Sequence, residues 1–103
     1  MTWDITISGN AFVDGSITVQ AGDTVRWTHA DGLTPHTVTS DDGQAESFDS
    51  HADCVTLVGL GCMVLGATFS HTFPAAGTTA YHCKVHPAIT GTITVLDRYD
   101  AVP

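Results

Sequence analysis

The sequence predicts an all-β fold, a sandwich or barrel of short strands. Three observations carry this reading. Apolar and polar residues alternate at period two along most of the chain, turn signals interrupt the alternation at short intervals, and no long helical period is present. Such strands bury one face and expose the other, so they need a second sheet, or closure on themselves.

The elements follow in chain order. Trp3, Ile5 and Ile7 alternate with Thr2, Asp4, Thr6 and Ser8, giving a first half-buried strand. Asp14-Gly15 is a turn, and residues 17–19 form a short strand after it. Ala21-Gly22-Asp23 turns the chain into a strand in which Val25 and Trp27 face inward between Thr24, Arg26 and Thr28. Asp31-Gly32 and Asp41-Asp42-Gly43 are further turns, with a short strand at residues 37–39 between them. Phe69, His71 and Phe73 alternate with Ser70 and Thr72, and Pro74-Ala75-Ala76-Gly77 separates them from a strand at residues 78–82. Ile93 and Val95, set between Thr92 and Thr94, complete the pattern. Segment 44–65 departs from it, starting polar and turning apolar from Val55 to Leu65. It reads as a long loop with room for a helical turn, and its apolar half either packs on the sheets or forms a contact surface.

A length of 103 residues and a hydrophobic fraction of 43% fit one domain over residues 1–103 with one core. The formal net charge of −8 argues against nucleic acid and anionic membrane as partners. No apolar run is long enough for a membrane-spanning helix, and no signal peptide is visible. An exported protein would therefore have its targeting segment or anchor outside this sequence. Three cysteines allow one disulfide and one thiol over. Cys54 and Cys62 flank the apolar loop, so they are the natural pair, with two free buried thiols as the alternative. A bridge would place the protein outside a reducing cytosol, in an extracytoplasmic compartment such as the periplasm or cell surface.

The chemistry is concentrated in Tyr81-His82-Cys83-Lys84-Val85-His86-Pro87-Ala88-Ile89-Thr90-Gly91. Cys83 and His86 lie three residues apart on a loop between two strands, which is how a chain holds a soft metal. His36 ends the upstream segment Leu33-Thr34-Pro35-His36. Two imidazoles and one thiolate form the trigonal core of a blue-copper site, usually completed by a weak axial methionine. The strand alternation points Cys83 the same way as Tyr81, into the end of the sandwich. Pro35 favours an extended entry to His36, whose second nitrogen needs a backbone or water partner. Zinc is the rival metal and would need a fourth ligand, for which His29 is the best candidate. His71 reads as a satisfied core histidine, His82 faces away from Cys83, and His51 lies in the long loop. Lys84 either favours the thiolate by its charge or is a solvated loop lysine. The acidic residues read as a solvated surface.

Taken in order, these segments resemble the cupredoxin family, with amicyanin and plastocyanin as the nearest types. Residues 17–27 are similar to the strand-turn-strand before the first ligand, and Thr34-Pro35-His36-Thr37-Val38 to the first-ligand segment. Phe48-Asp49-Ser50 and residues 68–73 resemble the stretch leading to the ligand loop. The interval from Cys83 to Gly91 has the length of the short amicyanin loop. The resemblance implies a Greek-key β-sandwich with one copper at one end, held by His36, Cys83 and His86, and one-electron transfer as its use. It also implies redox partner proteins docking at the His86 edge, framed by Leu33, Pro35, Pro87, Ala88 and Ile89.

Three features depart from the family pattern. Ile89 stands where a methionine is usual, Thr37 where an asparagine is usual, and the Cys54–Cys62 loop is longer than the usual connection. Isoleucine cannot donate to a metal, so the potential is expected to be high. If its side chain fills the axial space, the site is closed, with Pro35 and His29 bordering it. If it turns away, water, nitric oxide or nitrite could bind, and a redox enzyme becomes the alternative to a carrier.

Overall fold

A computed structural model describes residues 1–99, and its eight strands form two sheets. In chain order they are β1 (Thr2–Ser8), β2 (Ala11–Val13), β3 (Ser16–Gln20), β4 (Thr24–His29), β5 (Thr39–Ser40), β6 (Thr68–Thr72), β7 (Gly77–His82) and β8 (Thr90–Leu96). One sheet has the order β2-β1-β4-β6 and the other β3-β8-β7-β5. β1 runs parallel to β4 and β3 parallel to β8, while the other pairs are antiparallel. The chain thus crosses repeatedly between sheets, as expected of the sandwich. No helix occurs among the described residues, so the long loop holds turns where a helical turn had room.

Period-two alternation places the core where it was read. Ile5 and Ile7, Val25 and Trp27, Tyr81, and Ile93 and Val95 are all buried between the sheets. Trp27 is the centre of this layer. Its ring centroid lies 5.8 Å from Phe48, 5.9 Å from Phe69 and 5.2 Å from Tyr81. One strand was not anticipated. β2 folds back on β1 through Gly9 and Asn10, both at positive φ (61° and 56°), with Ser8 paired to Ala11. A two-residue turn of this kind matches the twist of a hairpin, and asparagine is among the residues that tolerate it. The predicted strand at 37–39 is displaced to Thr39–Ser40, because the Thr37 N–H points at Cys83 Sγ and the Val38 N–H donates to the Ser50 hydroxyl.

Cys54 and Cys62 are joined, leaving Cys83 as the free cysteine among the described residues. The apolar half of the loop forms a surface. Leu57 is 95% exposed, and Val55, Val58, Leu60, Val64 and Leu65 are exposed beside it. A crosslink over so short a loop stabilises by about 2–3 kcal/mol through the unfolded chain. Replacing both Cys54 and Cys62 by Ser is therefore expected to lower the stability of the metal-free protein by about that amount, read as the midpoint of denaturant unfolding. An unchanged midpoint would mean that the loop's other contacts hold it unaided.

Candidate metal centre

Three separate segments converge at one end of the sandwich. β7 runs out at His82 and delivers Cys83, fully buried, toward the interior. His86 follows on a tight turn: the Ile89 N–H donates to the His86 carbonyl at 2.9 Å, and the Cys83 N–H donates to the Ile89 carbonyl at 3.1 Å. His36 arrives from between β4 and β5. Cys83 Sγ lies 3.5 Å from His36 Nδ1 and 4.0 Å from His86 Nδ1. One donor atom from each of the three residues falls within 4.8 Å of the others, a group that could hold a metal ion. His36 and Cys83 are fully buried, while His86 is partly open to solvent.

The surroundings fix these donors. His36 Nε2 is 2.7 Å from Asp31 Oδ2, so its N–H is donated there and Nδ1 is left facing Cys83. Asp31 also accepts the Gly9 and Asn10 N–H groups at 3.1 and 3.0 Å. The hydrogen bond from His36, with those from the backbone, holds the Asp31 carboxyl below its ordinary value. Burial pulls the His36 imidazole below its usual value, against the opposing pull of Asp31. A neutral, singly oriented imidazole is the form a metal takes. The anticipated backbone or water partner for His36 is thus a carboxylate. The hairpin that presents Gly9 and Asn10 was itself unread, so nothing in the sequence connected Asp31 to His36.

The Thr37 N–H points at Cys83 Sγ from 3.4 Å, and Thr37 Oγ1 accepts the Lys84 N–H at 2.9 Å. Thr37 therefore ties the His36 segment to the Cys83 loop by its own hydroxyl. Lys84 is neither a free loop cation nor aimed at the thiol. Its Nζ donates to Asp49 Oδ2 at 2.6 Å and to the His51 carbonyl at 2.9 Å.

The remaining candidates lie around this group. His29 stacks near His36 with ring centroids 5.2 Å apart. Its Nε2 is 2.5 Å from the Thr34 carbonyl and its Nδ1 accepts the Asp31 N–H, so both ring nitrogens are engaged. The donors that fall within reach of one another are those of His36, Cys83 and His86, and His29 stands beside them with its nitrogens on backbone partners. His82 pairs with Asp41 at 2.5 Å and His71 with Glu46 at 2.8 Å. His71 is 22% exposed, less enclosed than a core position. Ile89 is buried with the core, in the same cluster as Cys83.

The disulfide loop grips the His36 segment twice. Gly59 sits so close to Pro35 that a Cβ there would come within 2.9 Å of the Pro35 Cγ. Met63 pairs with His36 through two backbone hydrogen bonds, Met63 N–H to His36 carbonyl at 2.8 Å and the reverse at 3.3 Å. Met63 is fully buried and was overlooked in the sequence, hidden in an apolar run.

The pattern of copper binding proteins, plastocyanin/azurin family, matches residues 1–96. The chain belongs to that family. It is 33% identical over 91 residues to a plastocyanin of Scenedesmus fuscus, covering 82% of this chain and 85% of the relative. Its fold matches amicyanin from Paracoccus versutus at 23% identity with a TM-score of 0.74, over 92% of this chain and 81% of the other. A Cu(I) amicyanin carrying a methionine-to-glutamine change matches at 27% identity and a TM-score of 0.73, over 92% and 82% of the two chains. As a cupredoxin with a His/Cys/His group, the protein takes copper as its cofactor. The donor chemistry agrees, since one soft sulfur and two imidazoles suit copper and leave no oxygen-rich cage for a hard cation.

Proposed function

We propose that this cupredoxin is a one-electron carrier in which His36, Cys83 and His86 hold a single copper. The observation that carries this is the convergence of their three donor atoms within 4.8 Å at a buried end of a rigid sandwich. Bound copper supplies the Cu(II)/Cu(I) couple. The chain supplies the rest. Asp31 orients His36, the Thr37 N–H stabilises negative charge on Cys83 Sγ, and Thr37 locks the two ligand segments together. A frame held by both sheets changes little between oxidation states, which keeps electron transfer fast.

Partners of this carrier are redox proteins that dock where the partly exposed His86 meets the apolar rim. Leu33, Pro87 and Ala88 are exposed there. A groove of about 280 Å³ lined by Gly32, Leu33, Pro35, Val58, Gly59, Val64 and Leu65 extends the same face. The disulfide loop thus enlarges the apolar surface beside the first histidine. The disulfide also supports an extracytoplasmic location. Among the described residues no helix is long and apolar enough to cross a membrane.

Ile89 donates nothing, and by itself favours Cu(I) and a raised potential. Its burial, with 8% exposure, supports a centre closed to solvent on this side rather than an open one. Absorption and EPR spectra of the copper-loaded protein, with and without nitrite or nitric oxide, test the reading. An intense thiolate-to-copper band that neither molecule perturbs is expected. Absence of the band would remove copper–thiolate chemistry, and a spectral change on adding either molecule would favour a small-molecule redox enzyme.

A further inference from the structure

Ile89 leaves this centre without a sulfur donor from the ligand loop, but the fold brings another methionine to its side. Met63 and His36 are directly opposed in an antiparallel bridge and exchange both backbone hydrogen bonds. Residues opposed in this way carry their side chains on the same face, with Cα atoms about 5.5 Å apart. The thioether of Met63 therefore stands on the face that carries the His36 ring. Its side chain has no exit to solvent, being 0% exposed, and it belongs to the same buried cluster as Cys83 and Ile89. Other neighbours of His36 are accounted for: Asp31 at Nε2, Cys83 at Nδ1, His29 and His86 flanking the ring. Cys62, next in the chain, is held by the disulfide, which fixes the backbone that presents Met63.

We propose that Met63 supplies the weak thioether of the copper centre, from the disulfide-pinned loop in place of the ligand loop. Resting on the copper reading above, this assigns the loop a function. It carries the donor that Ile89 lacks, and the two departures from the family pattern compensate one another. A thioether is a soft, weak donor, and a long, weak bond from it to the trigonal group would stabilise Cu(II) relative to Cu(I).

The chain has two methionines, and Met1 is 81% exposed with its amino group on Asp23, so selenomethionine labelling places one buried selenium, at position 63. Selenium-edge X-ray absorption of the labelled, copper-loaded protein is expected to show a copper neighbour. Met63→Leu is close in volume, so metal-free unfolding should be almost unchanged. Its reduction potential should rise and its copper EPR parameters should shift, with the visible band retained. No copper neighbour at selenium, together with an unchanged potential and EPR spectrum in Met63→Leu, would reduce Met63 to core packing. A wild-type protein with no thiolate-to-copper band would instead overturn the copper reading itself, so the two failures are told apart.

Discussion

Cys83→Ser is expected to abolish the intense visible band of the copper-loaded protein. The band requires a copper–sulfur bond, and Cys83 is the free cysteine among the described residues. The other two sulfurs of cysteine are locked in the Cys54–Cys62 bridge and have no thiolate to offer. A serine hydroxyl is a harder donor that stays protonated near neutrality, so it does not replace a thiolate. Copper affinity should drop with it, because His36 and His86 remain as the imidazole pair without the soft anion between them. The fold should survive. Serine is slightly smaller, and the Thr37 N–H, now 3.4 Å from Sγ, is positioned to meet a hydroxyl. A buried hydroxyl with a partner costs about 1–2 kcal/mol at most, small against the stability of a domain. Absorption during copper titration and the unfolding midpoint of the metal-free variant check both halves. A variant that keeps the strong band would remove Cys83 from the centre.

The sheets and the three donors were readable because each leaves a local mark. Val25 and Trp27, or Ile93 and Val95, alternate within a few residues, and burial follows from that alternation. Cys83 and His86 are neighbours in sequence, so their spacing survives without any knowledge of the fold. What stayed hidden is long-range. Asp31 is a turn residue by composition, and its bond to His36 exists because the β1–β2 hairpin brings Gly9 and Asn10 to its carboxylate. Lys84 looked like a loop cation until the chain from β5 placed Asp49 against it. Met63 sat in an apolar stretch with no period. Its pairing with His36 depends on how the disulfide loop returns across the end of the sandwich. Thr37 was noted as a departure, but its hydroxyl bond to the Lys84 N–H follows from the register of two segments 47 residues apart.

Gly91→Ala is expected to be the most destabilising single exchange outside the metal group. Gly91 lies on β8 directly opposite Tyr81 on β7. A Cβ at Gly91 would sit 2.4 Å from the Tyr81 hydroxyl oxygen and 2.5 Å from the Gly15 carbonyl, distances that no real contact sustains. The hydroxyl cannot simply step aside. It donates to the Gly15 carbonyl at 2.6 Å, and burial pushes its pKa up to about 12, so it remains a neutral donor. The ring below it is wedged between Phe12, 4.8 Å away, and Trp27, 5.2 Å away. Overpacking costs about 1–3 kcal/mol, and a buried hydrogen bond broken on both sides adds about 1–3 kcal/mol. The expected loss is therefore about 2–6 kcal/mol, a large part of a domain's stability. The damage should also reach the metal, because Tyr81 lies near the end of β7, two residues before Cys83. A double-mutant cycle with Tyr81→Phe isolates the mechanism. Without a hydroxyl bond to preserve, the phenyl ring can tilt, so Gly91→Ala should cost less in that background than in the native one. Denaturant unfolding of the four metal-free proteins gives all the terms. Equal costs in the two backgrounds would place the strain on the Gly15 carbonyl and free Tyr81 from the role assigned to it.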